Sequence, residues 1–162
     1  MENDFLERMG YAALSSRLKR LSDALLYSTN QFYKQQGLDV EPSWRMIIIL
    51  LREKSPMTVS QLSLETKLSH PAVVQLTNKM KAKGYLKSSA DPQDGRRSLL
   101  ELTTKAEEVL PLLQKCWKAC NMTMKELTKG KTLIFEVLKD METQMEAADY
   151  KTRTIKNMNE KL

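Results

Sequence analysis

Apolar residues recur at Leu14, Leu18, Leu21 and Leu25, in steps of four, three and four, with Leu6 and Met9 ahead of them. That spacing predicts one helix from about Asp4 to Gln36 with a single apolar stripe, and Gly37 suits the position just past its end. Glu41-Pro42-Ser43 opens a second helix whose Trp44, Ile47, Ile48 and Leu51 share one face, and Ser55-Pro56 closes it.

Thr58-Val59-Ser60-Gln61 has the spacing of a capping box, with Met57 placed to staple against Leu62. The short helix it starts runs to about Thr66, and Lys67-Leu68 turns the chain into Ser69, a second N-cap. The next helix, about His70 to Lys83, carries Pro71 in its first turn and sets Val73, Leu76, Thr77 and Met80 on one face before Gly84 stops it. Two short helices across a tight turn make a helix-turn-helix, with the second as its reading helix. Tyr85–Ser89 and Ser98–Leu102 are strand-compatible runs around the polar segment Ala90–Arg97, which predicts a hairpin.

A long helix capped by Thr103 or Thr104 follows, carrying Val109, Leu113, Cys116, Trp117 and Cys120, with a kink expected at Pro111. After Lys129-Gly130-Lys131 a last helix takes in Leu133, Ile134, Val137, Leu138, Met141 and Met145, and the pattern does not fix its end beyond Tyr150. The expected fold is mainly α with a small β-hairpin wing: a winged helix-turn-helix lobe over residues 44–102, between helical arms at 1–40 and 103–162. Arms of that length have little lobe to cover, so their stripes are expected to pack on a second copy in a two-fold homodimer.

Composition narrows the function. Between Lys67 and Arg97 stand seven Lys/Arg and two Asp/Glu, a concentrated part of the net charge of +6. A polyanion is the natural partner of such a patch, although a merely solvated face has the same composition. The longest apolar run, Met46–Leu51, is far below the roughly 20 residues of a membrane span. The N-terminus, Met1-Glu2-Asn3-Asp4-Phe5, lacks the basic start of a signal peptide, so a cytoplasmic location is expected. One histidine and two cysteines give no basis for a metal site, and no cofactor is implied. Without a Gly-rich phosphate loop, a G-x-S-x-G elbow or an H-E-x-x-H motif, the chain does not read as an enzyme.

Asp91-Pro92-Gln93-Asp94-Gly95-Arg96-Arg97 followed by Leu102-Thr103 resembles the "D-P-x-D-x-R … L-T" wing signature of the MarR (multiple antibiotic resistance regulator) family. Lys83-Gly84-Tyr85-Leu86 is similar to that family's entry to the wing. The resemblance implies a homodimeric transcription regulator, often a repressor, that binds palindromic promoter DNA and is released by a small phenolic or lipophilic inducer or by an oxidant. Relatives often carry Thr then Arg in mid-helix where this chain has Val74 and Gln75, so their base preference does not transfer.

Candidate DNA contacts follow from position. Arg96 at the hairpin tip suits the negative potential of a narrow minor groove, with Asp94 placed to hold its guanidinium and Arg97 beside it. Ser69, His70, Pro71, Val74, Gln75 and Asn78 lie at the start and along the outer face of the reading helix, where Val74 can meet a thymine methyl and Gln75 an adenine. Ser60, Gln61 and Lys67 are placed to donate to phosphates, though capping and solubility are equally good reasons for them. Tyr11, Trp44, Arg45 and Trp117 are candidates for an inducer cavity, against the plainer reading as core. Cys116 and Cys120 read as buried structural thiols more readily than as an oxidant sensor. The alternative function is a winged helix used for protein contact, or as an architectural nucleic-acid binder without an inducer.

Overall fold

Glycine and proline positions decide where the helices of this chain break. The computed structural model describes residues 4–161, so the acidic start at Met1–Asn3 lies outside the described residues. Instead of one helix from Asp4, the chain forms α1 (Phe5–Arg8), a 3₁₀ turn (Gly10–Ala13) and then α2 (Leu14–Gln35). The break falls at Gly10, whose φ of +55° no residue inside an α-helix adopts. Asp4 caps α1 by accepting the Leu6 N–H at 3.1 Å, and it also receives Arg20 of α2 at 2.5 Å. Past α2, the Gly37 N–H reaches the Lys34 carbonyl at 3.0 Å and the Leu38 N–H reaches that of Tyr33 at 2.9 Å. This is a Schellman ending, and Tyr33 and Leu38 are both buried as its hydrophobic contact requires.

The winged lobe is built from a 3₁₀ turn (Pro42–Trp44), α3 (Arg45–Lys54), α4 (Val59–Thr66), α5 (His70–Ala82), β1 (Leu86–Ala90) and β2 (Ser98–Leu102). The strands pair antiparallel from Leu86 opposite Leu102 to Ala90 opposite Ser98. Met57 adds a short third pairing through two hydrogen bonds with Leu100, of 3.2 and 2.8 Å. Trp44, Ile47, Ile48, Leu51, Leu62, Val73, Met80, Tyr85 and Leu100 are all buried. Each such side chain contributes roughly 1.5–3 kcal/mol of transfer free energy. The stripe expected on α5 is buried at Val73, Thr77 and Met80, while Leu76 is half-buried; the Thr77 hydroxyl is satisfied by the Val73 carbonyl at 2.9 Å.

α6 (Thr104–Leu127) is one helix with Pro111 inside it. Thr103 is its cap: the hydroxyl accepts the Ala106 N–H at 3.3 Å. By contacts the chain divides into two units, Met1–Cys116 and Trp117–Leu162. In the second unit the last helix ends at Ala147, giving α7 (Leu133–Ala147), and a further helix, α8 (Tyr150–Lys161), takes up the region past Tyr150 that the sequence pattern left open. The break is at Ala148, which is extended, and Arg153 closes it by donating to the Ala148 carbonyl at 2.9 Å and the Gln144 carbonyl at 2.6 Å. No helix among the described residues is long and apolar enough to cross a membrane.

The arms keep their apolar stripes in the open. Leu14, Leu18 and Leu21 of α2 are exposed, and so are Leu133, Ile134, Phe135, Val137, Leu138, Met141 and Met145 of α7.

Candidate nucleic-acid interface

The reading helix starts where Ser69 caps it. Its hydroxyl accepts the Ala72 N–H at 3.4 Å, with Pro71 in the first turn, where a missing N–H leaves no bond unmade. With Val73, Thr77 and Met80 turned into the core, helical geometry sends His70, Pro71, Gln75 and Asn78 outward, and all four are exposed. Val74 is half-buried at the edge of that face. The helix ends in a second Schellman motif, the Gly84 N–H meeting the Lys81 carbonyl and the Tyr85 N–H that of Met80, both at 2.9 Å. Gly84 holds φ +75° there.

At the wing tip the structure corrects one expectation. Asp94 does not hold the Arg96 guanidinium: its Oδ1 accepts the backbone N–H of Arg96 at 3.1 Å, and Asp91 does the same for Gln93 at 2.9 Å. A carboxylate two residues ahead of an amide closes an Asx turn more readily than it reaches a side chain of the same tight loop. The Asp91 N–H to the Arg97 carbonyl at 3.0 Å and the Arg97 N–H to the Asp94 carbonyl at 2.8 Å complete the tip. Arg96 and Arg97 are exposed and form no ion pair among the described residues. Behind them Lys87 and Glu101 pair across the strands at 2.8 Å.

The capping box at α4 is complete: the Thr58 N–H meets Gln61 Oε1 at 2.7 Å and the Gln61 N–H meets Thr58 Oγ1 at 3.2 Å. The oxygen of Gln61 is therefore committed to the cap, and only its amide N–H₂ remains to face a phosphate. Ser60 is exposed at the first turn, and Lys67 forms the left-handed end of α4 at φ +56°.

The four residues named for an inducer cavity differ widely in exposure. Tyr11 is 96% exposed, Trp44 is 0% exposed with no acceptor for its Nε1–H among the described residues, Arg45 is half-buried and Trp117 is buried. A cleft of about 480 Å³ lies beside α2, lined by Tyr27, Asn30, Lys34, Asp39, Glu41 and Lys83 among others. Cys116 is buried and Cys120 half-buried.

Sequence reasoning missed what holds the far end of the reading helix. Leu38 and Val40 are buried while Asp39 and Glu41 alternate with them in the outward direction, and these carboxylates pair with Lys83 and, at 3.4 Å, with Lys79. The Asp39 hydrogen bond holds the Lys83 ammonium above the usual lysine range. Lys83 also stands 5.7 Å from the Trp44 ring centre, and Trp44 packs edge-on to Tyr85 at 5.5 Å. Lys105 of α6 lies 4.3 Å over Tyr85 and donates to the Lys83 carbonyl at 2.7 Å. Burial raises the Tyr85 phenol above its ordinary pKa. The signal was available in the alternating apolar and acidic residues at 38–41 and the four-residue spacing of Lys79 and Lys83.

An exposed helix face, capped and framed by a basic hairpin on one rigid lobe, defines a winged helix-turn-helix. Residues 36–97 match the profile of the MarR family. That segment carries the reading helix and the wing tip. No curated protein matches it in sequence. Among solved structures, it resembles the transcriptional repressor CouR bound to a 23-mer DNA duplex (TM-score 0.67, 17% identity, 83% of this chain and 96% of that one). It resembles the MepR–DNA complex of S. aureus (TM-score 0.65, 18% identity, 83% and 97%). The PcaV transcriptional regulator of Streptomyces coelicolor, with its natural ligand, matches at TM-score 0.65 and 19% identity over 91% and 99%. At these identities the likeness is one of fold.

Proposed function

We infer that this chain is a sequence-specific DNA-binding transcription regulator that works as a homodimer on a palindromic operator. The observation that carries the reading is the wing tip: a loop closed by its own Asp91 and Asp94 presents Arg96 and Arg97 with no carboxylate engaging them among the described residues, in the same lobe as the exposed face of the reading helix. His70, Gln75 and Asn78, with Val74 at the edge, address base edges in the major groove. Arg96 enters the adjoining minor groove, Arg97 supports it from the tip, and Ser60, Gln61, Lys67 and Ser69 address phosphates. CouR and MepR, which share the fold, were solved with DNA.

Residues 44–102 serve as the DNA lobe and the segments 1–40 and 103–162 as the dimer arms. Leu14, Leu18, Leu21, Ile134, Val137 and Met141 leave more apolar surface open than a soluble monomer ordinarily carries, and a second copy buries it. A small phenolic or lipophilic inducer acting on a repressor in the cytoplasm completes the proposal, by analogy with PcaV and its ligand. The test is a gel shift with the DNA flanking the chain's own gene. A shift at nanomolar protein that persists against random duplex supports the reading. Equal affinity for random duplex supports an architectural role, and no shift at low salt supports a protein-contact role.

A further inference from the structure

The last turns of the reading helix carry three lysines, Lys79, Lys81 and Lys83, which a charge count treats alike. The structure divides them. Lys79 and Lys83 lie on the flank facing the loop after α2, where Glu41 and Asp39 take them up. Lys81, set about 160° around the helix from Lys83, points off the other flank and has no carboxylate partner among the described residues. Loop 38–41 is itself anchored, since Leu38 and Val40 are buried and Leu38 closes the Schellman ending of α2. The two carboxylates are thus presented from a fixed backbone.

We propose that Asp39 and Glu41 are positioning residues for DNA recognition: they commit Lys79 and Lys83 to fixing the angle of the reading helix and leave Lys81 as the lysine of that segment that meets phosphate. The inference rests on the DNA-binding reading and says how its cations are shared out. Lys83 is the better tethered of the two. Its ammonium is held by Asp39 and stands over Trp44, and its carbonyl is held by Lys105, so helix, loop, core and α6 converge on one residue. Both pairs are partly exposed, so each adds only modestly to affinity, and their contribution is to geometry.

Counterion release separates the two roles. A lysine that meets phosphate adds about 0.9 to the slope of log affinity against log salt, whereas a tethering lysine adds nothing. With the full chain and a fluorescent duplex carrying its operator, Lys81→Gln is expected to lower that slope by about 0.9. Lys79→Gln and Lys83→Gln are expected to weaken binding about two- to fivefold with the slope unchanged. Asp39→Asn should weaken binding as Lys83→Gln does, and the double variant should be no worse than either single one. A slope lowered by Lys83→Gln or Lys79→Gln, or tighter binding by Asp39→Asn, overturns the proposal, as does an unchanged slope for Lys81→Gln. If the wild-type chain binds no duplex, the DNA reading itself fails. Amide exchange from Met80 to Tyr85 then decides the tether alone: faster exchange in Asp39→Asn upholds it, and unchanged exchange overturns it.

Discussion

Asp94 accepts the backbone N–H of Arg96 at 3.1 Å, and the guanidinium of that residue has no ion-pair partner among the described residues. The wing tip is therefore shaped by a carboxylate that a neutral amide can replace, because Asn closes the same Asx turn. Asp94→Asn is expected to keep operator affinity close to wild type, while Asp94→Ala loosens the tip and weakens binding. Arg96→Ala should cost about 1–2 kcal/mol of binding with fold and dimer intact. Anisotropy titrations of the three variants check this. A severe loss in Asp94→Asn would mean that the carboxylate charge, and not the turn, matters.

Gln75 is exposed on the outer face of the reading helix, and its amide can pair in bidentate fashion with adenine. Gln75→Ala is expected to lose about 1–3 kcal/mol at one base-pair position of each half-site and to leave the others alone. Selection of bound sequences from a random pool, with wild type and variant side by side, shows whether one position relaxes.

The Thr58 hydroxyl and the Gln61 side chain close reciprocal bonds at the start of α4, so Thr58→Ala exposes a backbone donor with nothing to replace its partner. A destabilisation of about 1 kcal/mol is expected, measured as a lower urea midpoint at unchanged slope.

Asp149 caps α8 by accepting the Thr152 N–H at 2.7 Å, which holds its carboxyl below the usual aspartate range. A depressed carboxylate stabilises the fold above its unfolded pKa and ceases to do so as pH falls through the folded value. Helical signal from α8 should therefore be constant at neutral pH and decline only below about pH 3.8, and Asp149→Ala should remove that step. Carbon-13 shifts of residues 150–160 followed through an acid titration read it directly.

Much of the lobe was legible because its cues are local. The Thr58-to-Gln61 spacing, Ser69 before Pro71, and Gly84 after the last apolar turn each specify a backbone geometry within a few residues, and the structure realises each. The arms were less legible. Gly10 fits a helical stripe by pattern yet breaks it by conformation, whereas Pro111 stays inside α6 where the pattern placed it. Whether such a residue interrupts a helix depends on packing that periodicity does not record. The role of Asp94 was misread because spacing brings two charges close without saying which atoms meet. The pairs of Asp39 with Lys83 and Glu41 with Lys79 join residues some forty positions apart, so the local spacing at each end marks two outward faces and only the folded chain brings them together.

Hydroxyl-radical footprinting of the operator tests the central claim most directly. The account predicts two symmetric protected half-sites centred about 10 base pairs apart on one side of the duplex, each flanked by a minor-groove protection that disappears in Arg96→Ala. A single protected patch, or minor-groove protection that survives Arg96→Ala, would contradict it.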